Sequence, residues 1–287
     1  MTIIRPKKSL GQHFLKDLGI AQRIAETLTA YHGLPVLEVG PGTGVLTRFL
    51  LREGHDLSVV EIDRESVKYL EQNFPELNGR IYVEDFLRMK LEQVYDDKFC
   101  VIGNYPYYIS SQIFFKALDC REQVVCCAGM IQKEVAERLA AVPGSRSFGI
   151  LSALIQPWYD VEYLFTVSEK VFDPPPKVQS AVVRMTRNSR TDLGCGEALY
   201  RTVVKTSFNQ RRKTLRNSMK PLLGKDCPYF VLPVFDKRPE QLSIEQFIEL
   251  TLITGNYLKE KDNSPVLIDK TNDEDILAKF ESESVKS

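Results

Sequence analysis

The sequence predicts an α/β protein, in which helices cover both faces of a mainly parallel sheet, followed by a small all-helical C-terminal domain. Over the first two thirds of the chain, short segments rich in Val, Ile and Tyr alternate with segments of helical pattern, as is typical of parallel sheets. No strong strand pattern follows Asn188. The chain has 287 residues, of which 43% are hydrophobic and 26% charged, so it can bury a core. No apolar run reaches the length of a membrane span.

Each predicted element follows from a local residue pattern. Seven short segments, mostly bounded by Gly, Asp or Pro, are predicted strands: Pro35–Val39, Leu57–Ile62, Arg80–Val83, Phe99–Ile102, Gln123–Ala128, Val161–Val167 and Ala181–Met185. Five segments are predicted helices: Leu18–Ala30, Val45–Arg52, Glu65–Asn73, Ser110–Leu118 and Lys133–Ala141. No clear helix separates the last two strands. We therefore expect them to form an antiparallel hairpin at the sheet edge, held apart by the Pro-rich loop Asp173–Lys177.

The composition changes near residue 188, which predicts domains at residues 1–188 and 189–258 and a tail at 259–287. The polar, Gly-containing segment Ser189–Gly196 suits a linker, and two predicted helices follow it, Glu197–Lys220 and Ser243–Leu258. The tail is polar, so we expect it to be mobile, with one short helix at Asp273–Phe280.

A glycine-rich turn joins the first predicted strand to a helix. Gly40, Gly42 and Gly44 let the backbone come close to a ligand, and the helix N-terminus offers free N–H groups. Glu61 ends the second strand, where a carboxylate can accept hydrogen bonds from two ribose hydroxyls. Asp85, after the third strand, is a candidate acceptor for an adenine amino group or a helix N-cap. These residues predict a ribose-bearing cofactor and leave open whether it is a nicotinamide dinucleotide or S-adenosylmethionine.

The fourth predicted strand leads into Asn104-Tyr105-Pro106-Tyr107, at the end where parallel sheets bind cofactors. The exocyclic amino group of a base is a poor nucleophile, because its lone pair is delocalised into the ring. The Asn104 side-chain carbonyl and the Tyr105 backbone carbonyl can accept both of its N–H bonds and so favour a pyramidal nitrogen. Pro106 stiffens the turn, and Tyr107 offers a flat face on which the base can stack. The motif predicts methyl transfer to such an amine.

The six cysteines predict no metal site. No Cys-x-x-Cys spacing occurs and no His lies nearby, so we expect small buried residues in a reducing cytoplasm. The first 16 residues are basic but lack the apolar segment of a secretory signal, which favours the same location.

Several ordered motifs resemble those of the ribosomal RNA adenine N6-dimethyltransferase family of the small ribosomal subunit, from about Lys8 to about Leu258. The motifs are Ser9–Leu15, Glu38–Gly44, Glu61–Asp63, Asp85–Phe86, Asn104–Tyr107, Gln132–Arg138, Phe172–Ser180 and Phe208–Leu215. The resemblance implies a class I, Rossmann-like methyltransferase fold with S-adenosyl-L-methionine as the methyl donor.

The resemblance also implies roles for single residues. His13, Leu15 and Gly40 would contact the methionine part of the cofactor, and Phe172 would pack on the target base opposite Tyr107. Two positions depart from the family pattern: His13 stands where Asn is usual, and Tyr105 where Leu or Ile is usual. Since position 105 acts mainly through its backbone carbonyl, we expect the chemistry to survive.

The formal net charge of the chain is zero, so it gives no sign of RNA binding. The prediction of RNA binding rests instead on local clusters of basic residues. The segment 200–225 holds eight basic residues and no acidic one. The candidates for phosphate contacts within it are Arg211, Arg212, Lys213 and Arg216. Arg5, Lys7, Lys8 and Lys16 add an N-terminal basic arm.

The sequence therefore predicts a cytoplasmic, monomeric and metal-free enzyme that dimethylates N6 of adenosines. The family implies two adjacent adenosines in the 3′-terminal hairpin of 16S rRNA, presented within an immature small subunit. The alternatives are a large-subunit rRNA adenine methyltransferase of the macrolide-resistance type, a non-catalytic RNA-binding assembly factor on the same fold, and a nicotinamide oxidoreductase. The G-x-G-x-G spacing and the Asn104–Tyr107 motif disfavour the last of these.

Overall fold

The computed structural model describes residues 6–7 and 12–262 and contains nine strands in that part of the chain. They are β1 (Phe14–Leu15), β2 (Val36–Val39), β3 (Leu57–Val60), β4 (Ile81–Tyr82), β5 (Phe99–Asn104), β6 (Val124–Gln132), β7 (Tyr159–Val167), β8 (Phe172–Asp173) and β9 (Ser180–Arg187). Seven of them form one sheet in the order β4-β3-β2-β5-β6-β9-β7, and β1 pairs with β8 in a separate small sheet.

The large sheet confirms the predicted α/β class. Strands β4, β3, β2, β5 and β6 run parallel, whereas β9 is antiparallel to both β6 and β7. Every residue of β2 and β3 is buried, as expected for strands covered on both faces. The hairpin predicted for the last two strands is confirmed, with β7 at the edge of the sheet.

Ten α-helices lie in the described part of the chain: α1 (Leu18–Ala25), α2 (Thr47–Arg52), α3 (Arg64–Asn73), α4 (Ser110–Asp119), α5 (Lys133–Leu139), α6 (Ile150–Ile155), α7 (Glu197–Asn209), α8 (Leu215–Ser218), α9 (Lys220–Leu223) and α10 (Ile244–Asp262). The first is shorter than predicted, because the chain tightens into a 3-10 helix over Glu26–Tyr31. There the Thr27 and Thr29 hydroxyls donate to the carbonyls three residues earlier, which competes with the α-helical pattern.

The prediction of one continuous helix over Glu197–Lys220 is wrong. Helix α7 ends at Asn209, and two short helices follow after a break. At the break, the Arg211 guanidinium donates to the Phe148 carbonyl at 3.1 Å, and the Leu215 amide donates to the Lys237 carbonyl at 2.8 Å. These long-range bonds replace the local helical ones.

The described chain divides into two compact units, one comprising residues up to 136 with 159–188 and the other 137–158 with 189 onward. The two units change over at residue 188, and the segment 137–158 belongs with the residues after 188 in the C-terminal unit. Within that unit the Tyr200 hydroxyl donates to the Ala153 carbonyl at 2.9 Å, and the Phe148 and Phe208 rings lie 6.3 Å apart. The tail beyond residue 262, with the helix predicted at 273–280, lies outside the described residues.

For the cysteines, for membrane spans and for metal sites, the structure gives observations on the described residues only. Four of the six cysteines are buried, and Cys120 and Cys195 are partly buried. No helix in the described ranges has the length and apolarity needed to cross a bilayer. The same residues contain no group of three or more His, Cys, Asp or Glu side chains suited to a metal ion.

Candidate active site

The small β1–β8 sheet brings two distant motifs together at the carboxyl end of β5. Leu15 lies opposite Phe172, and the His13 Nδ1 lies 2.7 Å from the Pro174 carbonyl oxygen. A carbonyl only accepts, so Nδ1 donates this bond. The Asn104 Nδ2 in turn donates to the His13 carbonyl at 3.2 Å. Residues about 160 positions apart thus converge on Asn104.

Asn104 presents an unused acceptor. Because its Nδ2 donates to His13, its Oδ1 is the atom left for a ligand. Within the described ranges, no group donates to this oxygen or to the Tyr105 backbone carbonyl. Both residues line the same cavity. The site therefore holds two neighbouring acceptors without internal partners, as the binding of an amino group with two N–H bonds requires.

The Tyr105 side chain points away from the site, into the core. Its hydroxyl donates to the Ala128 carbonyl at 2.7 Å, and the residue is 1% exposed. The ring fits because Gly103 and Gly129 flank it; a Cβ at either position would lie 2.8 or 2.5 Å from a ring atom. The larger side chain at position 105 is thus accommodated in the core, and the backbone carbonyl stays at the cavity.

Two contacts fix the ring of Tyr107. Its hydroxyl lies 2.6 Å from the Ser180 Oγ, and the His13 ring is stacked on it at 5.7 Å between centroids. Burial raises the pKa of the Tyr107 hydroxyl, so the group is a neutral anchor. Pro106, with φ of −57°, sets the turn before it. The ring is therefore held in place by contacts within the protein.

Phe172 departs from the prediction. Its side chain is 1% exposed, belongs to the hydrophobic core and does not line the cavity. Pairing of β8 with β1 produces this burial, because Leu15 and Phe172 oppose each other in the register. In this structure Phe172 supports the site from below and offers no open face to a base.

The glycine turn holds a buried carboxylate. Gly40 and Gly42 have φ of +66° and +55°, a region that disfavours other residues. The Gly42 amide donates to the Glu61 carboxylate at 3.1 Å, and the Asp63 amide donates to its other oxygen at 2.9 Å. Burial raises the pKa of Glu61. Glu61 is thereby oriented toward the cavity that it lines.

Glu38 is a second buried carboxyl group at the same cavity. It accepts a hydrogen bond from the Thr47 hydroxyl at 2.7 Å, and burial raises its pKa to about 8. The sequence analysis included Glu38 in a motif and gave it no role. The signal that identifies it is an acidic residue in the middle of an otherwise apolar strand.

Asp85 closes a turn at the cavity. Its Oδ1 accepts from the Leu87 amide at 2.9 Å, so the residue caps the turn that follows it. It also lines the cavity together with its neighbour Glu84. The two interpretations of Asp85 as a cap and as a ligand acceptor are therefore compatible.

All predicted catalytic and cofactor residues except Phe172 line one cavity. The carboxyl groups among its lining residues are those of Glu38, Glu61, Glu84 and Asp85, and no Lys or Arg of the described part of the chain lines it. Glu38 is protonated below about pH 8, so the negative charge comes from Glu61, Glu84 and Asp85. This charge suits a ligand with a cationic sulfonium, an ammonium group and donor hydroxyls. It opposes the pyrophosphate of a nicotinamide dinucleotide. The residues present thus fit S-adenosylmethionine.

The predicted RNA-binding residues fall into two groups. Arg211 donates to backbone carbonyls of residues 146 and 148, and Arg216 is paired with the Asp236 carboxylate. Both side chains are therefore engaged within the C-terminal unit. Arg212 and Lys213 are exposed and make no ion pair within the described ranges. These two remain the candidates for phosphate contacts.

The N-terminal basic arm is described only in part. Lys7 Nζ lies 2.6 Å from the Asp63 carboxylate and 3.2 Å from that of Glu65. Lys7 is therefore engaged in local ion pairs, and the role of the arm in RNA binding stays a prediction. Arg5 and Lys8 lie outside the described residues.

Comparison with known proteins identifies the family. The family model "Ribosomal RNA adenine dimethylase" matches residues 3–250. The chain belongs to this family. The dimethylase uses S-adenosylmethionine as its methyl donor, which resolves the choice of cofactor that the residues alone had left open.

The dimethylase is similar to curated proteins and to solved structures over most of its length. A protein named ribosomal RNA small subunit methyltransferase A from Parabacteroides distasonis is 71% identical over 91% of this chain and 98% of its own. One of the same name from Bacteroides thetaiotaomicron is 63% identical over 90% and 97%. A dimethyladenosine transferase structure from Plasmodium falciparum has a TM-score of 0.72 at 25% identity and covers 85% of this chain and 98% of its own. The 23S rRNA methyltransferase ErmE has a TM-score of 0.62 at 26% identity, with coverage of 82% and 98%.

Proposed function

We propose that this dimethylase adds two methyl groups to N6 of each of two adjacent adenosines in the 3′-terminal hairpin of 16S rRNA. The observation that carries the proposal is the pair of unpartnered acceptors, Asn104 Oδ1 and the Tyr105 carbonyl, beside the fixed ring of Tyr107. The choice of the small-subunit RNA is supported by relatives named for that subunit at 60–71% identity.

S-adenosylmethionine supplies a methyl group made electrophilic by the adjacent sulfonium. Glu61 would accept from the ribose hydroxyls and Asp85 from the adenine amino group. Asn104 and Tyr105 would hold the two N–H bonds of the target amine, so that the nitrogen becomes pyramidal and its lone pair leaves the ring. An amine that takes up a methyl group becomes strongly acidic, so no side chain has to remove a proton beforehand. Positioning supplies most of the catalysis.

The target base must leave its helix to reach Asn104, because the 6-amino group of a stacked and paired adenine is not accessible to an enzyme that acts on it. Tyr107 provides the stacking face, and its ring is already fixed by Ser180 and His13. Stacking on an aromatic side chain contributes about 1–3 kcal/mol per base. A pre-oriented ring lowers the entropic cost of capturing the base.

The second candidate is methylation of the large-subunit RNA, which the likeness to ErmE favours at the level of fold. Both activities need the same cofactor and the same acceptors, so the site chemistry does not separate them. The small-subunit activity is preferred on the higher identity and coverage of the relatives that carry its name.

We further propose that the substrate is 16S rRNA within an immature small subunit, and that the enzyme acts as a monomer in the cytoplasm. The proposal of an immature subunit rests on the need to turn the adenosine out of its hairpin, which packing of a complete subunit would hinder. Assembling subunits are cytoplasmic, so the enzyme must meet them there.

The function is tested by mass spectrometry of the 3′-terminal 16S hairpin from cells with and without the protein. We expect two dimethylated adenosines with the protein and unmodified ones without it. Cells that carry only the Asn104→Ala variant serve as a control for an assembly role without catalysis. Methylation that depends on the protein in 23S rRNA instead would establish the second candidate. If removal of the protein leaves methylation of both RNAs unchanged, both candidates are refuted.

The two groups of basic residues should behave differently in RNA binding. Replacing Arg212 and Lys213 together with Ala should weaken RNA binding and lower the slope of log K against log salt by up to about one unit per lost phosphate contact. Replacing Arg211 with Ala should instead lower the melting temperature and leave the salt slope unchanged, because its bonds are internal. Filter binding at four salt concentrations checks both. A slope that changes only for Arg211→Ala would reverse the assignment.

A further inference from the structure

Lys116 on α4 reaches the turn that carries Asp85. Its Nζ donates to the Leu87 carbonyl at 2.9 Å and to the Met89 carbonyl at 2.5 Å. The nitrogen also lies 5.7 Å from the centre of the Phe86 ring. A single ammonium group thus binds the backbone carbonyls of Leu87 and Met89 and lies near the ring of Phe86, all in one turn.

The same turn orients the Asp85 carboxylate. The Leu87 amide donates to Asp85 Oδ1 at 2.9 Å, and the Met89 amide donates to the Asp85 carbonyl at 3.0 Å. Leu87 and Met89 therefore connect Asp85 with Lys116: the amide of each bonds Asp85, and the carbonyl of each accepts from Lys116. Displacement of the two carbonyls would move the residues whose amides hold Asp85.

Lys116 is not an ordinary surface lysine. It is half-buried, and burial lowers its pKa, an effect that the carboxylates of Glu92, Asp85 and Glu84 oppose together with Cys120. Helix α4 also follows directly on the Tyr107–Ile109 turn of the catalytic motif. Lys116 thereby links the turn at the adenine end of the cavity to the helix that extends from the methyl-transfer end.

We propose that Lys116 is a positioning residue for cofactor recognition, which holds the Asp85 turn so that the carboxylate meets the adenine 6-amino group. This inference rests on the proposed function, since it takes the cavity as the S-adenosylmethionine site. Lys116 itself does not line the cavity and acts through Leu87 and Met89.

The test compares two ligands that differ at the purine 6-position and in the N1 proton that accompanies the 6-oxo group. S-adenosylhomocysteine has an amino group there, and S-inosylhomocysteine has an oxo group that cannot donate to Asp85. Calorimetry on the full chain without RNA should show that Lys116→Met weakens binding of the amino ligand about tenfold and hardly changes binding of the oxo ligand. Lys116→Arg should restore most of the discrimination, because Arg can still donate to both carbonyls. Lys68→Met, at an exposed lysine of α3, is the matched control and should bind like wild type.

A general structural role for Lys116 would weaken both ligands equally or lower only the melting temperature, and either result would overturn the proposal. If Lys116→Met does not fold, Lys116→Gln provides the same comparison. Asp85→Ala adds a second check: combined with Lys116→Met it should lose no further discrimination, and additive losses would contradict the proposed route. A different result would refute the proposed function without testing Lys116: wild-type protein that binds the amino ligand but leaves the 16S adenosines unmodified.

Discussion

Replacing Asn104 with Ala should lower the rate of methyl transfer about 100-fold or more and leave the affinity for RNA and for S-adenosylmethionine nearly unchanged. Among the described residues, no group donates to the Asn104 Oδ1, and its proposed bond to the amine would strengthen as the nitrogen changes from planar to tetrahedral. The interaction therefore belongs more to the transition state than to the ground state, and its loss reduces turnover rather than binding. Single-turnover methylation with radiolabelled donor measures the effect.

Two further variants make this prediction specific. Tyr107→Ala removes the stacking face, so part of its loss should be visible in RNA binding, on the scale of about 1–3 kcal/mol. Asn104→Asp keeps an acceptor but removes the Nδ2 donor to His13, so it should fall between wild type and Asn104→Ala. If Asn104→Ala retains the wild-type single-turnover rate, the assignment of the two acceptors is wrong.

The second large effect is a dependence of stability on pH that originates at Glu38. Burial raises its pKa to about 8 in the folded protein, from about 4.5 in the unfolded chain. The folded state therefore favours the protonated carboxyl, so this contribution is fully present below pH 4.5 and is lost as pH rises through 8. At about 1.4 kcal/mol per pKa unit, the loss between pH 5 and pH 9 is about 4 kcal/mol.

Glu38→Gln should remove this loss, because Gln stays neutral and can still accept from the Thr47 hydroxyl. Between pH 5 and pH 9, the free energy of unfolding of wild type should fall by about 4 kcal/mol more than that of the variant. Urea denaturation at both pH values measures the difference. Glu71→Gln, at an exposed residue of α3, should follow the wild-type dependence. Parallel curves for wild type and Glu38→Gln would show that Glu38 is ionised in the fold.

The sequence predicted most of the site because each motif is local. A strand, a glycine turn and a helix are encoded within a few residues, so the positions of Gly40, Gly42, Glu61 and Asn104 follow once the sheet is known to be parallel. The parallel sheet then aligns the carboxyl ends of its strands, which places these residues at one cavity. The resemblance to the dimethyltransferase family added His13 and Leu15, which lie too far from the other motifs for local patterns to connect them.

The errors share one physical cause, which is competition from long-range contacts. The helix predicted over 197–220 breaks at Arg211, because carbonyls some 65 residues earlier bind its guanidinium better than a continued helix would allow. The same bonds and the Asp236 pair engage Arg211 and Arg216 within the C-terminal unit, so their predicted RNA contacts stay a prediction. A count of basic residues cannot separate engaged from available charges.

The sequence by itself determined the fold class, the order in which the cavity motifs follow successive strands, and the two acceptors at Asn104 and Tyr105. These features depend on periodicity and on neighbouring residues. Only the tertiary structure decided the burial of Phe172, the anchoring of Tyr107 by Ser180 and the contact of Lys116 with the Asp85 turn. The contacts of Tyr107 and Lys116 join residues about 75 and 30 positions apart, and the burial of Phe172 depends on which strand lies opposite it. Such pairings are set by packing of the whole sheet, which leaves no local pattern in the chain.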